Sequence, residues 1–428
     1  MIQSFSISNF KSYQQAELKV APLTVLIGPN ASGKSNLLEL IRLLNWLAQG
    51  HKISSLQYNI APEDQIVRGQ LKDLFKVESE PFSAGCSIGG GINAFIVMSI
   101  DFRMQQELHI HSEVCGIDTG FLYRTVRPTN NLATDIQVEY NNYSKGPNKP
   151  QIVCSDQLAI FTQLTEASKY GEQYSKSRKV IPLAAKAIEN ALAKVLFLDP
   201  VPARMRNYSS LTEKQLTGDG RNLSAVIYHL WHAGDQNQTM LLDFIKSLPE
   251  QDIAGIDFIK TPRNEVMISL KETFGNEVRD VDAGVLSDGT LRILAIAAAL
   301  LSAQKGSTVI VEEIDNGVHP SRAAKLMDSI RQIAQSRGLV VILSTHNPAL
   351  LDALPYEVIP DVVYCYRDKE TGASQLMRLG DLRDYPELTS RGDLGDLLAM
   401  GTIEQFVKYR KDNQQKKEEA MAWLESIK

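Results

Sequence analysis

Cysteine is scarce in this chain, and its positions exclude sites that depend on paired cysteines. The four cysteines among 428 residues lie far apart, and no Cys-x-x-Cys pair is present. This spacing argues against a zinc site and against a disulfide framework, because both need clustered or paired thiols. We therefore expect a reduced, cytoplasmic setting.

Long apolar segments are also missing. The longest apolar stretch, around Leu294–Ala303, suits a buried helix and is well short of the roughly 20 residues of a membrane span. The first ten residues have neither the basic start nor the apolar core of a signal peptide. We expect no membrane segment.

The chain also lacks a strong excess of charge of one sign. Its net charge is -5 and its pI about 5.9. This balance excludes a protein that coats DNA through overall basicity, but it leaves room for a local basic stripe.

Short apolar runs predict the fold. Residues 23–27, 308–311 and 340–343 are almost continuously apolar and rich in β-branched side chains, which is typical of strands buried on both faces. The strand–loop–helix order around them predicts a parallel sheet with helices on its faces. Segments 93–102, 107–115, 121–127 and 135–140 have the pattern of a strand meander.

The predicted fold class is α/β, with a mixed or parallel sheet flanked by helices, an N-terminal antiparallel β lobe and an inserted helical arm. The predicted parts are 1–156 (phosphate loop and β lobe), 157–262 (inserted helical arm) and 263–428 (the second half of the head, with a helical tail).

A phosphate-binding loop follows the first buried strand. Residues 28–35, GPNASGKS, match the pattern G-x-x-x-x-G-K-[ST], with the required strand before and helix after. The glycines let backbone N–H groups curl around phosphates, and the helix N-terminus adds its positive dipole end. Lys34 would place a positive charge against the phosphate oxygens, and Ser35 would offer a hydroxyl to Mg²⁺. A chance match is the alternative, and the strand–loop–helix context argues against it.

Three further segments follow in the C-terminal half: LSDGT at 286–290, Glu312-Glu313 after a buried strand, and Ser344-Thr345-His346 after another. Each alone has an ordinary explanation: a helix cap, surface acids, and a structural histidine. Together they indicate a site, because the carboxyl ends of parallel strands meet at the edge where α/β sheets bind ligands. One acid could hold Mg²⁺, and the next could polarise an attacking water.

The order of these motifs resembles the SMC–RecF-like branch of ABC ATPases, and in particular the single-chain bacterial ATPases related to the overcoming-lysogenization-defect proteins. The opening SISNFKSY (6–13), the block VEEIDNGVHP (311–320) and the segment RGDLGDLLAMGTIEQF (391–406) are similar to segments of that branch. The resemblance covers about 1–45 and 280–405, and the middle of the chain matches only loosely.

The resemblance implies an ABC-ATPase head that binds ATP and Mg²⁺. Lys34, Glu313 and His346 would be catalytic, with Glu313 acting on water and His346 contacting the γ-phosphate, while Ser35 and Glu312 would hold the metal. Ser287 and Gly289 would contact ATP bound to a second protomer, so a homodimer or higher homo-oligomer is implied. The other nucleotide-binding residues would be Asn30, Ala31, Ser32, Gly33, Asn36, Lys11 and Ser12.

Three departures from the family pattern stand out. The signature is LSDGT, so Asp288 puts a negative charge near the expected γ-phosphate. Glu312 replaces the usual aspartate, and Ile314-Asp315 replaces a Pro-Glu pair. None of these departures removes the catalytic glutamate, so we still expect hydrolysis, at a slow rate. Gln65 is the candidate for a Mg²⁺-sensing glutamine, with an ordinary surface glutamine as the alternative.

Two functions remain open. The first is a sensor that controls a separate effector, possibly a nuclease, in bacterial defence against phage; no nuclease motif appears in the residues after His346. The second is a RecF-like repair ATPase that clamps DNA. A nucleotide-switched scaffold with little turnover is a third possibility. Basic residues that could face DNA, or could simply form a solvated helical face, are Lys176, Arg178, Lys179, Arg204, Arg206 and Arg221. Arg204 and Arg206 could instead pack against the nucleotide-binding part.

Overall fold

A computed structural model of the chain describes residues 1–58, 66–89, 95–118, 120–126, 135–245, 252–274, 277–315 and 320–408. The strands within these residues are β1 (Ile2–Phe10), β2 (Tyr13–Lys19), β3 (Leu23–Ile27), β4 (Phe82–Gly89), β5 (Phe95–Met104), β6 (Leu108–Ile117), β7 (Gly120–Val126), β8 (Asp135–Tyr140), β9 (Gln151–Ser155), β10 (Leu196–Leu198), β11 (Ser209–Ser210), β12 (Asp252–Lys260), β13 (Glu265–Phe274), β14 (Glu277–Asp282), β15 (Thr308–Val311), β16 (Val340–Ser344), β17 (Val362–Arg367) and β18 (Ser374–Arg378). The helices are α1 (Lys34–Ala48), α2 (Ile160–Gln163), α3 (Ser175–Ala193), α4 (Pro202–Met205), α5 (Leu223–His232), α6 (Asp235–Ile245), α7 (Asp288–Ser302), α8 (Pro320–Arg337), α9 (Pro348–Asp352), α10 (Tyr385–Ser390), α11 (Leu394–Ala399) and α12 (Thr402–Lys408).

The larger sheet has a parallel half and an antiparallel half. Its strand order is β10-β15-β16-β3-β17-β18-β2-β1-β4-β5-β6-β7-β8-β9. Pairing is parallel from β10 to β17 and antiparallel from β2 to β9. Strand β18 joins the halves, antiparallel to β17 and parallel to β2. The α/β fold class with its antiparallel β lobe is thereby confirmed, as is the predicted meander.

Alternate side chains of the central strands enter two hydrophobic cores. Val25 and Ile27 of β3 lie in the core that also contains residues of α5, α7 and α8. Leu26, between them, lies in the second core, with residues of α1 and α3. Burial on both faces explains why these strands are nearly continuous apolar runs in the sequence.

The second sheet has the order β11-β13-β12, and β14 also pairs with β13. Its strand pairs are all antiparallel. Helices α5 and α6 pack on β13 and β12, and α5 and α6 also contact α7. This sheet therefore leads the chain from β14 directly into α7, the helix that begins at the LSDGT segment.

The segment 157–262 differs from the predicted helical arm. It contains helices, but β10 within it joins the parallel edge of the larger sheet and β12 belongs to the second sheet. Helix α3 packs against α1. The apolar side chains that produced the helical pattern are buried in the two cores, so this segment covers the sheet instead of extending from it.

The predicted helical tail is described as far as α12; residues 409–428 lie outside the described residues.

A search of the described helices for membrane spans finds none that is both long and apolar enough to cross a bilayer.

Glu113 is a buried carboxylate of the antiparallel lobe. It lies on β6 with 0% exposure and accepts hydrogen bonds from the Tyr123 hydroxyl at 2.7 Å and from the N–H groups of Ile160 and Phe161 at 2.7 and 2.8 Å. These bonds tie β6 and β7 to the start of α2. Burial raises the pKa of Glu113 to about 7, against the opposing effect of the three hydrogen bonds.

We expect this group to make the free energy of unfolding fall as the pH rises from 4.5 to about 7. In that window the folded protein keeps a proton on Glu113 that the unfolded chain releases, so a higher pH favours unfolding, by about 3 kcal/mol in full. Glu113→Gln cannot titrate and loses a hydrogen-bond acceptor. Urea unfolding of both proteins across this window should therefore show the variant's stability deficit shrinking as the pH rises. A deficit that does not change with pH would contradict the raised pKa.

Candidate functional site

The phosphate loop connects β3 to α1, and two of its glycines are required by close packing. Gly28 has φ +138°, and a Cβ there would lie 2.1 Å from the carbonyl oxygen of Cys365 on β17. Gly33 has φ +116°, and a Cβ there would lie 2.4 Å from Oγ of Ser374 on β18. The loop therefore lies directly against the two strands β17 and β18. A larger residue in place of either glycine would have to displace the neighbouring strand.

Lys34 holds its ammonium group over the loop. Its Nζ donates to the carbonyl oxygens of Gly28 at 2.5 Å and Pro29 at 3.0 Å. Burial lowers the pKa of Lys34, while the neighbouring Cys365 and Glu313 act in the opposite direction. A cation at this place can bind phosphate oxygens with little competition from solvent.

A cleft of about 340 Å³ brings together most of the predicted site. Its walls include residues 30–36 of the loop and the side chains of Glu312, Glu313 and His346. These residues come from the carboxyl ends of β3, β15 and β16, which are neighbours in the parallel half of the sheet. The structure thus places the acids and the histidine at the edge where the loop lies, as the sequence predicts.

The two acids have different surroundings. Glu312 accepts a hydrogen bond from Nη2 of Arg42 on α1 at 3.0 Å, and its side chain is 29% exposed. Burial raises the pKa of Glu312, Arg42 lowers it, and Asp199 raises it further. Glu313 is exposed to the cleft and has φ +48°, and its N–H donates to Oγ of Ser344 at 3.0 Å. The fixed acid can support a metal ion, and the exposed acid can reach a water molecule.

His346 is paired with an acid that the motif comparison marked only as a departure. Its Nδ1 lies 3.5 Å from Oδ2 of Asp315, whose side chain is 6% exposed, whereas that of His346 is 58% exposed. A carboxylate this close to Nδ1 favours the tautomer that carries a proton on that nitrogen. The other ring nitrogen is then available for a ligand in the cleft.

Lys11 and Ser12 lie beneath the loop and do not line the cleft. The Lys11 ammonium pairs with Glu39 and is 11% exposed. Oγ of Ser12 accepts from Nδ2 of Asn36 at 2.8 Å and lies 2.7 Å from Oγ of Ser374, which in turn is 2.6 Å from the carbonyl oxygen of Ser32. Both residues are therefore bonded to the first turns of α1, and their predicted contact with a nucleotide stays a prediction.

The signature segment also lies outside this cleft. Ser287 caps α7 by accepting the N–H of Thr290 at 3.1 Å, and Ser287 and Asp288 are exposed. Gly289 is on the first turn of the same helix. These residues are not among those that line the cleft with Lys34, and their contact with ATP bound to a second protomer stays a prediction.

Two of the basic residues proposed to face DNA are engaged elsewhere. Arg204 pairs with Asp219 at 3.0 Å, and Arg206 pairs with Asp288 at 2.5 Å. Arg206 therefore lies at the start of α7, as the alternative placement expects, while Arg204 is held by Asp219.

Sequence patterns missed two arginines in the cleft, Arg68 and Arg367. Arg367, the last residue of β17, donates from Nε to the carbonyl oxygen of Ala31 at 2.9 Å and from Nη1 to that of Gly372 at 3.0 Å. Arg68 donates from Nε to Glu39 at 3.2 Å. No motif surrounds either residue, since each reaches the loop from a distant part of the chain.

Gln65 and residues 316–319 of the VEEIDNGVHP block lie outside the described residues.

The donor set fits a magnesium ion that is bound jointly with a nucleotide. No group of three or more His, Cys, Asp or Glu side chains within the described ranges could hold a metal by itself. The Ser35 hydroxyl and the Glu312 carboxylate share the cleft, and Mg²⁺ commonly takes one or two protein oxygens and completes its shell with phosphate and water. The buried Oγ of Ser32 has no hydrogen-bond partner among the described residues, which leaves it available to a ligand in the loop.

We expect Arg367→Ala to weaken nucleotide binding about tenfold, since a charged hydrogen bond to the apex of the loop is lost. The measurement is an equilibrium titration with a fluorescent ATP analogue. Arg383→Ala, which removes an exposed arginine away from the cleft, is the matched control and should bind as the wild type does. Equal affinities of the two variants would show that the Arg367 clamp does not shape the loop.

Comparison with known proteins adds a family to this geometry. The family model described as "AAA domain, putative AbiEii toxin, Type IV TA system" matches residues 23–81 and 188–352, just over half of the chain. These two ranges contain the phosphate loop, the signature, both acids and His346.

Similar proteins include one named as an ATP/GTP phosphatase and one named as a DNA replication and repair protein. The chain is 22% identical over 393 residues to an "ATP/GTP phosphatase" of Helicobacter pylori, covering 86% of this chain and 91% of that protein. It is 24% identical over 314 residues to UvrABC system protein A of Chlamydia trachomatis, covering 70% of this chain but only 17% of that protein's length. It is 47% identical to the DNA replication and repair protein RecF of Acaryochloris marina over 55 residues, 12% of this chain and 14% of that one.

Solved structures with a similar chain fold include SMC head domains. The SMC head domain from Thermotoga maritima matches with a TM-score of 0.42 and 12% identity, covering 88% of this chain and 98% of that one. An SMC head bound to the C-terminal winged-helix domain of ScpA matches with a TM-score of 0.48 and 12% identity, covering 88% and 96%. The narrower resemblance to overcoming-lysogenization-defect proteins stays a prediction. The family match covers every residue that lines the cleft except Arg367, and the chain belongs to this AAA-domain family of ATPases.

Proposed function

We propose that this chain binds and hydrolyses ATP as a nucleotide-sandwich dimer, and that it is the sensor or scaffold subunit of a two-component bacterial anti-phage system with a separate effector such as a nuclease. One observation carries the first part: the loop, both acids and His346 line one cleft, while the signature is exposed outside it. A site divided in this way is completed when a second copy brings its α7 to the cleft.

Each residue of the cleft has a role in that reaction. Lys34 and the N–H groups of the loop bind the phosphates and hold them in place. Ser35 and Glu312 would hold Mg²⁺, which neutralises charge on the phosphate oxygens when bound. Arg42 keeps the Glu312 carboxylate directed into the cleft. This arrangement fixes the phosphates before any bond is broken.

Hydrolysis itself would depend on Glu313 and His346. The Glu313 carboxylate, at the cleft surface, accepts a proton from the attacking water. His346, oriented by Asp315, donates a hydrogen bond to the γ-phosphate oxygen, where negative charge develops. ATP would then stabilise the dimer and hydrolysis would release it.

The support for the sensor role comes from the comparisons. The family description includes a type IV toxin–antitoxin system, which is an arrangement of two components. The H. pylori relative, of similar length, is named for its phosphatase activity alone. Both are consistent with an ATPase that acts on another chain.

Glu313→Gln should lower ATP turnover at least about a hundredfold, because the proton acceptor is lost while the shape of the site is kept. The same variant should accumulate with ATP as a species of twice the 47.5 kDa of one chain, measured by light scattering after gel filtration.

Glu357→Gln, at an exposed glutamate outside the cleft, is the control and should turn over ATP normally and stay monomeric after hydrolysis. Normal turnover by Glu313→Gln would remove Glu313 from the mechanism, and an unchanged molar mass would remove the dimer. The sensor role is tested with the trapped variant as bait: an effector should be retained with ATP and released with ADP.

A RecF-like DNA clamp is the second candidate, and one helix favours it. Lys176, Lys179 and Lys186 of α3 are exposed and lie on one face of the helix at helical spacing. Arg178, beside them, is half-buried. Such a row of cations can contact successive phosphates of a nucleic acid backbone.

Replacing these three lysines by alanine separates the two candidates. For a DNA clamp we expect weaker duplex binding and a slope of log affinity against log salt that is smaller by about 2 to 3, because about 0.9 counterions are released per phosphate contact. For the sensor we expect no change. The control replaces Lys214, Lys305 and Lys325, three exposed lysines elsewhere, and keeps the same net charge. Fluorescence anisotropy at several salt concentrations gives the answer.

A further inference from the structure

The N-terminus of α7 has a charge that works against its proposed role. The helix spans 15 residues, so its first turn directs N–H groups and a positive dipole end outwards, as an anion site requires. Asp288 is the first residue of this helix, and its side chain is 68% exposed. A carboxylate there stabilises the helix but repels any phosphate that approaches the same N–H groups.

Arg206 lies directly against this carboxylate. Its Nη2 donates to Oδ1 of Asp288 at 2.5 Å. Its Nη1 donates to the carbonyl oxygen of Leu286 at 2.5 Å and lies 3.3 and 3.4 Å from those of Gly284 and Ala283. One guanidinium group thus faces both the charged side chain and the carbonyl oxygens of the turn before the signature.

The position of Arg206 is fixed by the fold. It follows α4, which packs on α7, and precedes β11, which pairs with β13. Its side chain is 29% exposed, so it stays accessible at the surface that carries Ser287. The interaction joins positions 82 residues apart in the chain and is therefore not a local helix pair.

We propose that Arg206 is a positioning residue for the signature: it neutralises Asp288 and fixes the turn at 283–286, so that the α7 N-terminus of one protomer accepts the γ-phosphate of ATP bound to the other. This inference rests on the proposed nucleotide-sandwich dimer. The Arg206–Asp288 pair gives this signature a net charge near zero. The LSDGT departure is then compatible with phosphate docking, because its negative charge is matched by a residue from a distant segment.

The test uses the hydrolysis-deficient Glu313→Gln protein as the parent. Adding Arg206→Gln should raise the dissociation constant of the ATP-dependent dimer about tenfold, because the Asp288 carboxylate is left uncompensated. Adding Asp288→Asn to that protein should restore the constant to within about threefold of the parent, since the repelling charge is gone. The loss caused by Arg206→Gln should also shrink at high salt. Dissociation constants come from sedimentation equilibrium with ATP.

A second substitution guards against a folding defect. Arg206→Lys keeps the positive charge but not the fork of donors, so it should dimerise better than Arg206→Gln while losing part of the clamp on the turn. Circular dichroism and the affinity of each monomer for a fluorescent ATP analogue report whether the fold and the cleft are intact.

The outcomes separate the two proposals. A Glu313→Gln parent that never dimerises with ATP overturns the sandwich dimer and this inference with it. A parent that dimerises while Arg206→Gln dimerises equally well overturns only the role of Arg206. Weak dimerisation of Arg206→Gln that Asp288→Asn fails to rescue overturns the charge argument, since Arg206 would then only brace the turn.

Discussion

The close contact between the phosphate loop and strands β17 and β18 is the constraint on which the site depends. Gly28 and Gly33 lie so near the Cys365 carbonyl and the Ser374 hydroxyl that a Cβ at either position would overlap them. The same strands supply the groups that hold the loop: Ser374 at its base and Arg367 at its apex. Tyr13 adds a hydrogen bond from its hydroxyl to the Gly33 carbonyl at 3.1 Å. The loop keeps its shape because it is packed and bonded from below on strands far away in the sequence.

Much of this arrangement follows from local sequence. The apolar runs of β3, β15 and β16 identify the parallel strands, since residues buried on both faces have to be apolar. The residues that follow each run are then brought to one edge by the geometry of parallel pairing, which is why the sequence alone groups Lys34, Glu313 and His346. Sequence alone can group residues in this way when each of them lies within a few positions of a strand end.

Local sequence does not reveal contacts between residues that are far apart in the chain. Arg68 and Arg367 have no surrounding motif, and only the fold brings them to the cleft. Residues 157–262 contain the predicted helices, but the helical pattern does not reveal β10 or β12, and it does not say what a helix packs against. The sequence around Arg206 does not indicate its partner, because the contact with Asp288 depends on the placement of α4 against α7.

The larger sheet is narrowest where β18 meets β2. A single pair of residues, Ser374 and Tyr13, is in register there, whereas the neighbouring strand pairs are joined over many residues. Both members of that pair also touch the floor of the phosphate loop. A twist of the antiparallel lobe relative to the parallel strands would therefore have its pivot at the floor of the phosphate loop, so the shape of the loop and the orientation of the lobe would be mechanically linked.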